Sequence, residues 1–101
     1  MKIVWTEFAE YQLSEIYTFL YHKADEATAS RIVLGIINAS ERLVNFPEMG
    51  MKEKEEYVGD LNYRYLVQGH YKIVYEVFEK EVVVQDVFDT RLNPIKMLKD
   101  R

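Results

Sequence analysis

The amino-acid sequence predicts an α+β fold in which two helices pack on one face of an antiparallel sheet. Before Gly50, apolar residues recur at the spacing of helix turns, whereas after residue 60 they alternate with polar residues as in strands. The chain has 101 residues, of which 49% are hydrophobic and 30% charged. This length and composition suit a single globular domain spanning residues 1–101. The predicted order is an N-terminal strand, a two-helix hairpin and a three-stranded meander.

The N-terminal strand and the first helix follow from residues 2–22. Residues 2–5, KIVW, are mainly β-branched and aromatic, which favours a strand. Thr6 is a suitable N-cap for a helix over residues 7–22, with Glu7 in its first turn. The apolar face of that helix recurs at spacings of four, three and four, at Ala9, Leu13, Ile16 and Leu20.

A second helix is predicted over residues 26–45, because apolar residues again keep helical spacing there. Asp25 is its predicted N-cap. The segment FPEMG, residues 46–50, ends the helix with a proline and a glycine. The two helices therefore form a hairpin with one apolar stripe each.

Three strands are predicted over residues 61–68, 71–78 and 82–89, after a charged loop at residues 51–60. The turns between them are too short for parallel crossovers, so the strands must pair antiparallel. Residues 95–101 are predicted to form a helical turn or two. We expect six residues from both halves of the chain in the core: Ile16, Leu20, Ile36, Leu43, Ile73 and Val77.

Composition excludes several classes of function. The chain has no cysteine and two histidines, so neither a disulfide framework nor a metal site is expected, and a reducing cytoplasm suits it. A net charge of −4 argues against strong non-specific binding to nucleic acid. No signal peptide and no apolar run of membrane-spanning length is present, and no motif indicates a cofactor.

The candidate site consists of basic residues on the predicted strands. Arg64, Lys72 and Arg91 lie on three neighbouring strands or their tips. If the strands brought these cations together on one face, they would bind a phosphate and stabilise charge in its transfer. The alternative is that they are ordinary surface charges paired with Glu76 or Asp86. Asp86 stands within an apolar strand and is predicted to pair with Arg64 or Lys72, the alternative being that it faces solvent.

The apolar residues of the strands suggest a second kind of site. Four tyrosines would suit stacking on bases, but most of them are predicted to pack under the helices: Tyr63, Tyr65, Tyr71 and Tyr75. We expect Leu66, Val74 and Phe78 on the opposite face, where they would line an exposed apolar groove for a protein partner. Without that partner, two copies of the chain would pair through the helical hairpin.

Four segments, in this order and spacing, are similar to one known family: VWTEFAEYQLSEIYTFL, FPEMG, YRYLVQGHYKIVYEV and VVVQDVFDTRLNP. Together they resemble the RelE/ParE toxin superfamily of type II toxin–antitoxin systems, particularly its ParE-like plasmid stabilisation branch. The resemblance implies a growth-inhibiting cytoplasmic toxin that a cognate antitoxin neutralises. It also implies one of two activities. RelE-like members cut messenger RNA on the ribosome without a metal, whereas ParE-like members inhibit DNA gyrase.

Carried over by position, Arg64, Lys72 and Arg91 fall where RelE-like members place basic residues of their cleavage site. The remaining positions depart from that pattern. RelE-like nucleases tend to have a further lysine near Leu66 and a tyrosine or histidine near Met97, and many carry His-Gly-Arg-Arg-Asp-Pro at the strand tip. Here the tip has Asp89 in place of the histidine and Leu92 in place of the second arginine.

These departures favour a ParE-like toxin that binds gyrase over a metal-independent endoribonuclease, because a proton carrier and a positive charge are missing. Arg91 and Asn93 are then candidate contacts for the target or the antitoxin; the alternative is that Arg91 only pairs with Asp89 or Asp86. The sequence leaves open whether the chain is an enzyme. A third possibility is a decayed toxin that retains the fold as a protein-interaction module.

Overall fold

The computed structural model describes residues 1–54 and 62–92. Its elements, in chain order, are β1 (Lys2–Trp5), α1 (Glu7–Lys23), α2 (Glu26–Glu41) with a 3-10 turn (Arg42–Val44), β2 (Met51–Lys52), β3 (Tyr63–Gln68), β4 (Tyr71–Val77) and β5 (Glu81–Asp89). Within these residues, no helix has the length and apolar character needed to cross a membrane. The terminal helical turn predicted for residues 95–101 lies outside the described residues.

The strands form one sheet in the order β1-β5-β4-β3-β2. The predicted antiparallel meander of β3, β4 and β5 is confirmed, and β1 joins it by pairing parallel to β5. The sequence did not predict β2, which lies at the start of the segment assigned to a charged loop. Met51 and Lys52 pair with Tyr65 and Arg64 at the edge of the sheet. Charged residues are common on such edge strands, so composition alone does not exclude one.

Both predicted N-caps are confirmed. The Thr6 hydroxyl accepts a hydrogen bond from the Ala9 N–H at 3.0 Å, which satisfies one of the free donors at the start of α1. Asp25 Oδ1 accepts from the Thr28 N–H at 2.7 Å at the start of α2. Hydrogen bonds from the Thr28 side chain and backbone hold the pKa of Asp25 below its usual value.

The core lies between the two helices and the sheet face they cover. Five of the six predicted core residues take part in it. Ile36, Leu43 and Ile73 are buried, and Ile16 packs partly buried against the core cluster. Val77 also packs partly buried against this cluster, whereas Leu20 is half-buried and lies outside it. The α2 helix ends at Glu41, and a tighter 3-10 turn leads into the FPEMG segment.

The β3–β4 hairpin corrects the prediction that most of the four tyrosines pack under the helices. Its turn, Gly69-His70, has two residues, and Gly69 adopts the positive φ of 60° that such turns require. Gln68 therefore pairs with Tyr71, so even-numbered residues of β3 share a face with odd-numbered residues of β4. Tyr71 and Tyr75 are buried in the core as predicted. Tyr63 and Tyr65 lie on the other face, where the prediction was wrong.

The same register overturns the predicted strand-face groove. Leu66 pairs with Ile73 and belongs to the helix-covered core, whereas Val74 is fully buried on the opposite face. Phe78 follows the end of β4 and is exposed. Because two of the three side chains are buried and point to opposite faces, they do not line one exposed groove.

Candidate functional site

The Arg64 side chain holds the FPEMG loop through hydrogen bonds to its backbone. Its Nη1 donates to the carbonyls of Glu48 and Gly50, at 3.3 Å and 2.8 Å. Tyr75, directly across the hairpin from Arg64, accepts the Gly50 N–H at 2.9 Å through its hydroxyl. Burial raises the pKa of Tyr75, against the effect of that hydrogen bond and of Arg64. The Arg64–Tyr75 pair thus fixes the FPEMG loop against the sheet.

Lys72 is engaged in a buried ion pair that the sequence did not predict. The Nζ atom lies 3.0 Å from Glu53 Oε1 and 2.8 Å from Oε2. It also lies 4.2 Å from the centroid of the Tyr65 ring, a cation–π distance. The Lys72 and Glu53 side chains are only 4% and 3% exposed. Lys72 is therefore buried and paired with Glu53, a residue that lies before the three predicted strands in the sequence.

Asp86 is buried beside a β-bulge. The register of β4 and β5 shifts between Val74 and Tyr75, which pair with Asp86 and Val84 and leave Gln85 as the extra residue. Asp86 Oδ1 accepts a hydrogen bond from Gln12 Nε2 of α1 at 3.3 Å. The buried carboxylate thus ties α1 to β5, a partnership that the sequence prediction did not include.

Arg91 lies at the tip of β5 with its side chain 57% exposed. Its Nε and Nη2 donate to Asp89 Oδ1 and Oδ2 at 3.2 Å and 2.9 Å, and its backbone N–H donates to Oδ1 at 2.8 Å. Burial raises the pKa of Asp89, but the bonds from Arg91 outweigh it and hold that pKa below its usual value. The neighbouring Thr90 N–H and hydroxyl both donate to the His70 carbonyl at 3.0 Å. The arginine is thus held on an ordered tip with part of its guanidinium open to solvent.

The three candidate cations do not converge on one face, which corrects the prediction. Arg64 pairs with Tyr75 on the helix-covered face, whereas Lys72 pairs with Phe88 and points the other way. The two-residue turn causes this, because it places residues of opposite parity on the same face. Asn93 and Met97 lie outside the described residues. Within residues 1–54 and 62–92, no group of histidine and acidic side chains is arranged to hold a metal.

An apolar cavity of about 480 Å³ opens between the two helices beside the N-terminal strand. We call it the hairpin groove. Its apolar lining comes from Trp5, Leu13, Tyr17, Val33 and Ile37, with Glu10, Ser14 and Thr18 adding polar groups. The sequence missed it because Leu13, Val33 and Ile37 were assigned to the apolar faces that cover the sheet, and Tyr17 was not counted with them. The available signal for the groove was the width of the apolar stripes, which is greater than the helices need to cover the sheet.

A second cavity, of about 320 Å³, lies between α1 and the end of β5. We call it the tip cavity. Its lining combines apolar and polar side chains: Gln12, Glu15, Ile16, Phe19, Tyr71, Val87, Phe88, Asp89 and Leu92. Burial, and then the Asp89 carboxylate, raises the pKa of Tyr71. Because Asp89 holds Arg91, the exposed guanidinium stands beside a cavity of mixed polar and apolar lining, a combination found at protein-binding sites.

Comparison with known proteins identifies related sequences and folds. Residues 3–94 match the family model for the ParE toxin of type II toxin–antitoxin systems, parDE. A chain from the chromosomal ParDE toxin–antitoxin system of P. aeruginosa is similar in structure, with a TM-score of 0.74 and 21% sequence identity. The match covers 88% of this chain and 95% of that chain, and at this identity it establishes the fold alone. None of the curated proteins matches the sequence.

Proposed function

Because the chain belongs to the ParE toxin family of type II toxin–antitoxin systems, we propose that it inhibits growth by binding DNA gyrase. We further propose that a cognate antitoxin neutralises it in the cytoplasm, where gyrase acts. The observation that carries the choice of target is the separation of the candidate cations. Lys72 is buried against Glu53, and Arg64 is bonded to the FPEMG loop.

The competing function, ribosome-dependent RNA cleavage, needs cations preorganised around one phosphate. Here Arg64 and Lys72 occupy opposite faces of the hairpin, so they do not serve the same phosphate. The tip also has Asp89 where RelE-like nucleases tend to have a histidine, and its carboxylate is committed to Arg91. Inhibition by binding requires neither an assembled charge cluster nor a proton carrier, so the site supports it better.

Arg91 is the residue that we assign to target contact. Its guanidinium is partly free to form further hydrogen bonds, and Asp89 preorganises it at the edge of the tip cavity. Arginines placed beside apolar pockets are frequent energetic centres of protein interfaces. We extend this assignment to Asn93, which follows two residues later in the sequence.

The unmodified chain should therefore lower plasmid supercoiling by purified gyrase in a titration. Arg91→Ala should raise the concentration for half-inhibition about tenfold, which corresponds to ~1.4 kcal/mol of binding free energy. The matched control is Arg31→Ala, since Arg31 is an exposed arginine on α2. The gyrase proposal fails if the folded, unmodified chain leaves supercoiling intact, and the Arg91 assignment fails if both variants behave alike.

We assign the antitoxin to the hairpin groove. An apolar cavity of about 480 Å³ beside two helices suits the apolar face of a helical segment. The cognate antitoxin is expected to be encoded by a small gene adjacent to this one. Its docking would also prevent two copies of the chain from pairing through the helices, the dimer considered from the sequence.

Val33→Glu should weaken binding of that neighbouring gene product at least about tenfold, because it places a charge in the apolar groove. Leu34→Glu is a close control, since Leu34 is the next residue, is exposed and lies outside the groove lining. Calorimetric titration of both variants measures the difference. Equal affinities for the two variants would show that the antitoxin occupies another surface.

A further inference from the structure

A second apolar surface lies at the opposite edge of the sheet from β1. Four large side chains there are unusually exposed: Phe46 by 64%, Met49 by 45%, Met51 by 67% and Val67 by 63%. We call these four residues the edge patch. Neither the hairpin groove nor the tip cavity includes any of them.

The residues of the edge patch form two pairs of neighbours. Phe46 and Met49 line one shallow cavity of about 300 Å³ together with Pro47 and Glu48, and the Met49 N–H donates to the Phe46 carbonyl. Met51 pairs with Tyr65 of β3, so Val67, two residues further along β3, is its diagonal neighbour on the same face. The patch therefore has two parts, one on the FPEMG loop and one on the sheet edge, which Gly50 joins in the sequence.

The loop that carries half of this surface is firmly held. Arg64 binds the carbonyls of Glu48 and Gly50, and the Tyr75 hydroxyl accepts the Gly50 N–H. These bonds come from the sheet, so they fix the loop while leaving Phe46 and Met49 exposed. A preorganised loop binds a partner at lower entropic cost than a mobile one.

The backbone of the edge indicates the form of the partner. β2 has two residues and pairs only with Arg64 and Tyr65, so among the described strands none covers β3 beyond Tyr65 on that side. Open strand edges accept an extended segment through main-chain hydrogen bonds, with its alternate side chains entering neighbouring pockets. Methionines suit such a surface, because their flexible side chains adapt to the incoming residues.

The charge of the edge indicates the chemistry of the partner. Although the chain carries a net charge of −4, Lys52 of β2 and the following Lys54 are both exposed. The nearby Glu53 is already paired with Lys72 and contributes no free negative charge. Lysines beside an apolar strip favour a segment in which acidic and apolar residues alternate.

We propose that the edge patch binds an extended, acidic segment of a partner protein, which adds a strand beside β2 and β3. The apolar side chains of that segment pack over Met51 and Val67, and its carboxylates face Lys52. The proposal does not depend on gyrase being the target, because it rests on the edge itself. Its failure and the failure of gyrase inhibition are separate results.

The probe is a fluorescent peptide of about ten residues in which isoleucine and glutamate alternate, the side-chain pattern of a strand with one apolar face. Fluorescence anisotropy should show saturable binding to the unmodified chain. Val67→Glu and Lys52→Glu should each raise Kd about tenfold or more, through lost apolar contact and charge repulsion. Leu34→Glu, an equally exposed position on α2, should leave Kd unchanged.

Two further measurements distinguish strand addition from non-specific binding of the peptide and from pairing of two copies of the chain. A peptide of the same composition methylated on alternate backbone nitrogens should not bind, because it lacks the donors for strand pairing. Equal binding of that peptide, or unchanged Kd for Val67→Glu, would overturn the proposal. So would light scattering that shows a dimer lost in Val67→Glu, since a second copy would then be the occupant.

Discussion

Lys72→Met is expected to lower the free energy of unfolding by about 3–5 kcal/mol, because it leaves Glu53 buried without its cation. Both side chains are almost fully withdrawn from water, and the Nζ atom contacts both carboxylate oxygens. The lost cation–π contact with Tyr65 acts in the same direction. Urea denaturation followed by circular dichroism measures the change.

Two controls distinguish a buried pair from a general effect of losing a lysine. Lys80→Met replaces an exposed lysine and should change stability by about 0.5 kcal/mol or less. The double variant Lys72→Met/Glu53→Met removes both charges and should recover most of the loss, because no uncompensated ion remains. A loss in Lys72→Met as small as that in Lys80→Met would contradict the burial of this pair.

Gly50→Ala is expected to destabilise the fold by about 1–3 kcal/mol, the cost of overpacking a filled interior. A Cβ atom at Gly50 would lie 2.5 Å from the Tyr75 hydroxyl oxygen and 2.6 Å from the Tyr65 carbonyl oxygen. The backbone carbonyl has little freedom to move, because Tyr65 is paired in the sheet. The added methyl must therefore displace the loop that Arg64 and Tyr75 hold.

Gly35→Ala is the matched control for this variant. Gly35 lies within α2, and a Cβ there would meet only Gln68 Nε2, at an ordinary 3.5 Å. Alanine in a helix interior is favoured over glycine, so this variant should be neutral or stabilised by about 0.5–1 kcal/mol. Thermal or urea unfolding compares the two variants directly. A Gly50→Ala protein as stable as Gly35→Ala would show that the loop is not closely packed.

The helices and the order of strands could be predicted because their signals are local. Thr6 and Asp25 cap the two helices through hydrogen bonds to residues three positions ahead, so the chemistry is visible in a short window. Helical and strand periodicities likewise span only a few residues. Such local signals are sufficient to predict an α+β fold with a helical hairpin.

The position of the candidate cations depended on register, which periodicity alone does not fix. The alternation of β3 and of β4 was correctly recognised, but matching odd positions across the hairpin placed Lys72 on the wrong face relative to Arg64. Counting from the Gly69-His70 turn gives the pairing of Gln68 with Tyr71 and would have corrected it. The length of the turn therefore determines which residues of β3 and β4 share a face.

Neither the strand periodicity nor the length of the hairpin turn could predict the partner of Lys72. Glu53 lies 19 residues earlier in a segment of mixed charge, where no periodicity distinguishes a buried carboxylate from its solvated neighbours. Only the pairing of β2 with β3 brings this segment against the sheet. Buried pairs between distant residues depend on tertiary packing and leave little trace in local sequence.

We propose that this toxin acts by binding its target and not by cleaving RNA. One preparation of the unmodified chain should be assayed in parallel for gyrase supercoiling and for cleavage of ribosome-bound messenger RNA. We expect reduced supercoiling, and we expect intact RNA because Lys72 is buried and Arg64 faces away from it. Specific RNA cleavage that Arg91→Ala abolishes, with supercoiling unaffected, would contradict the account.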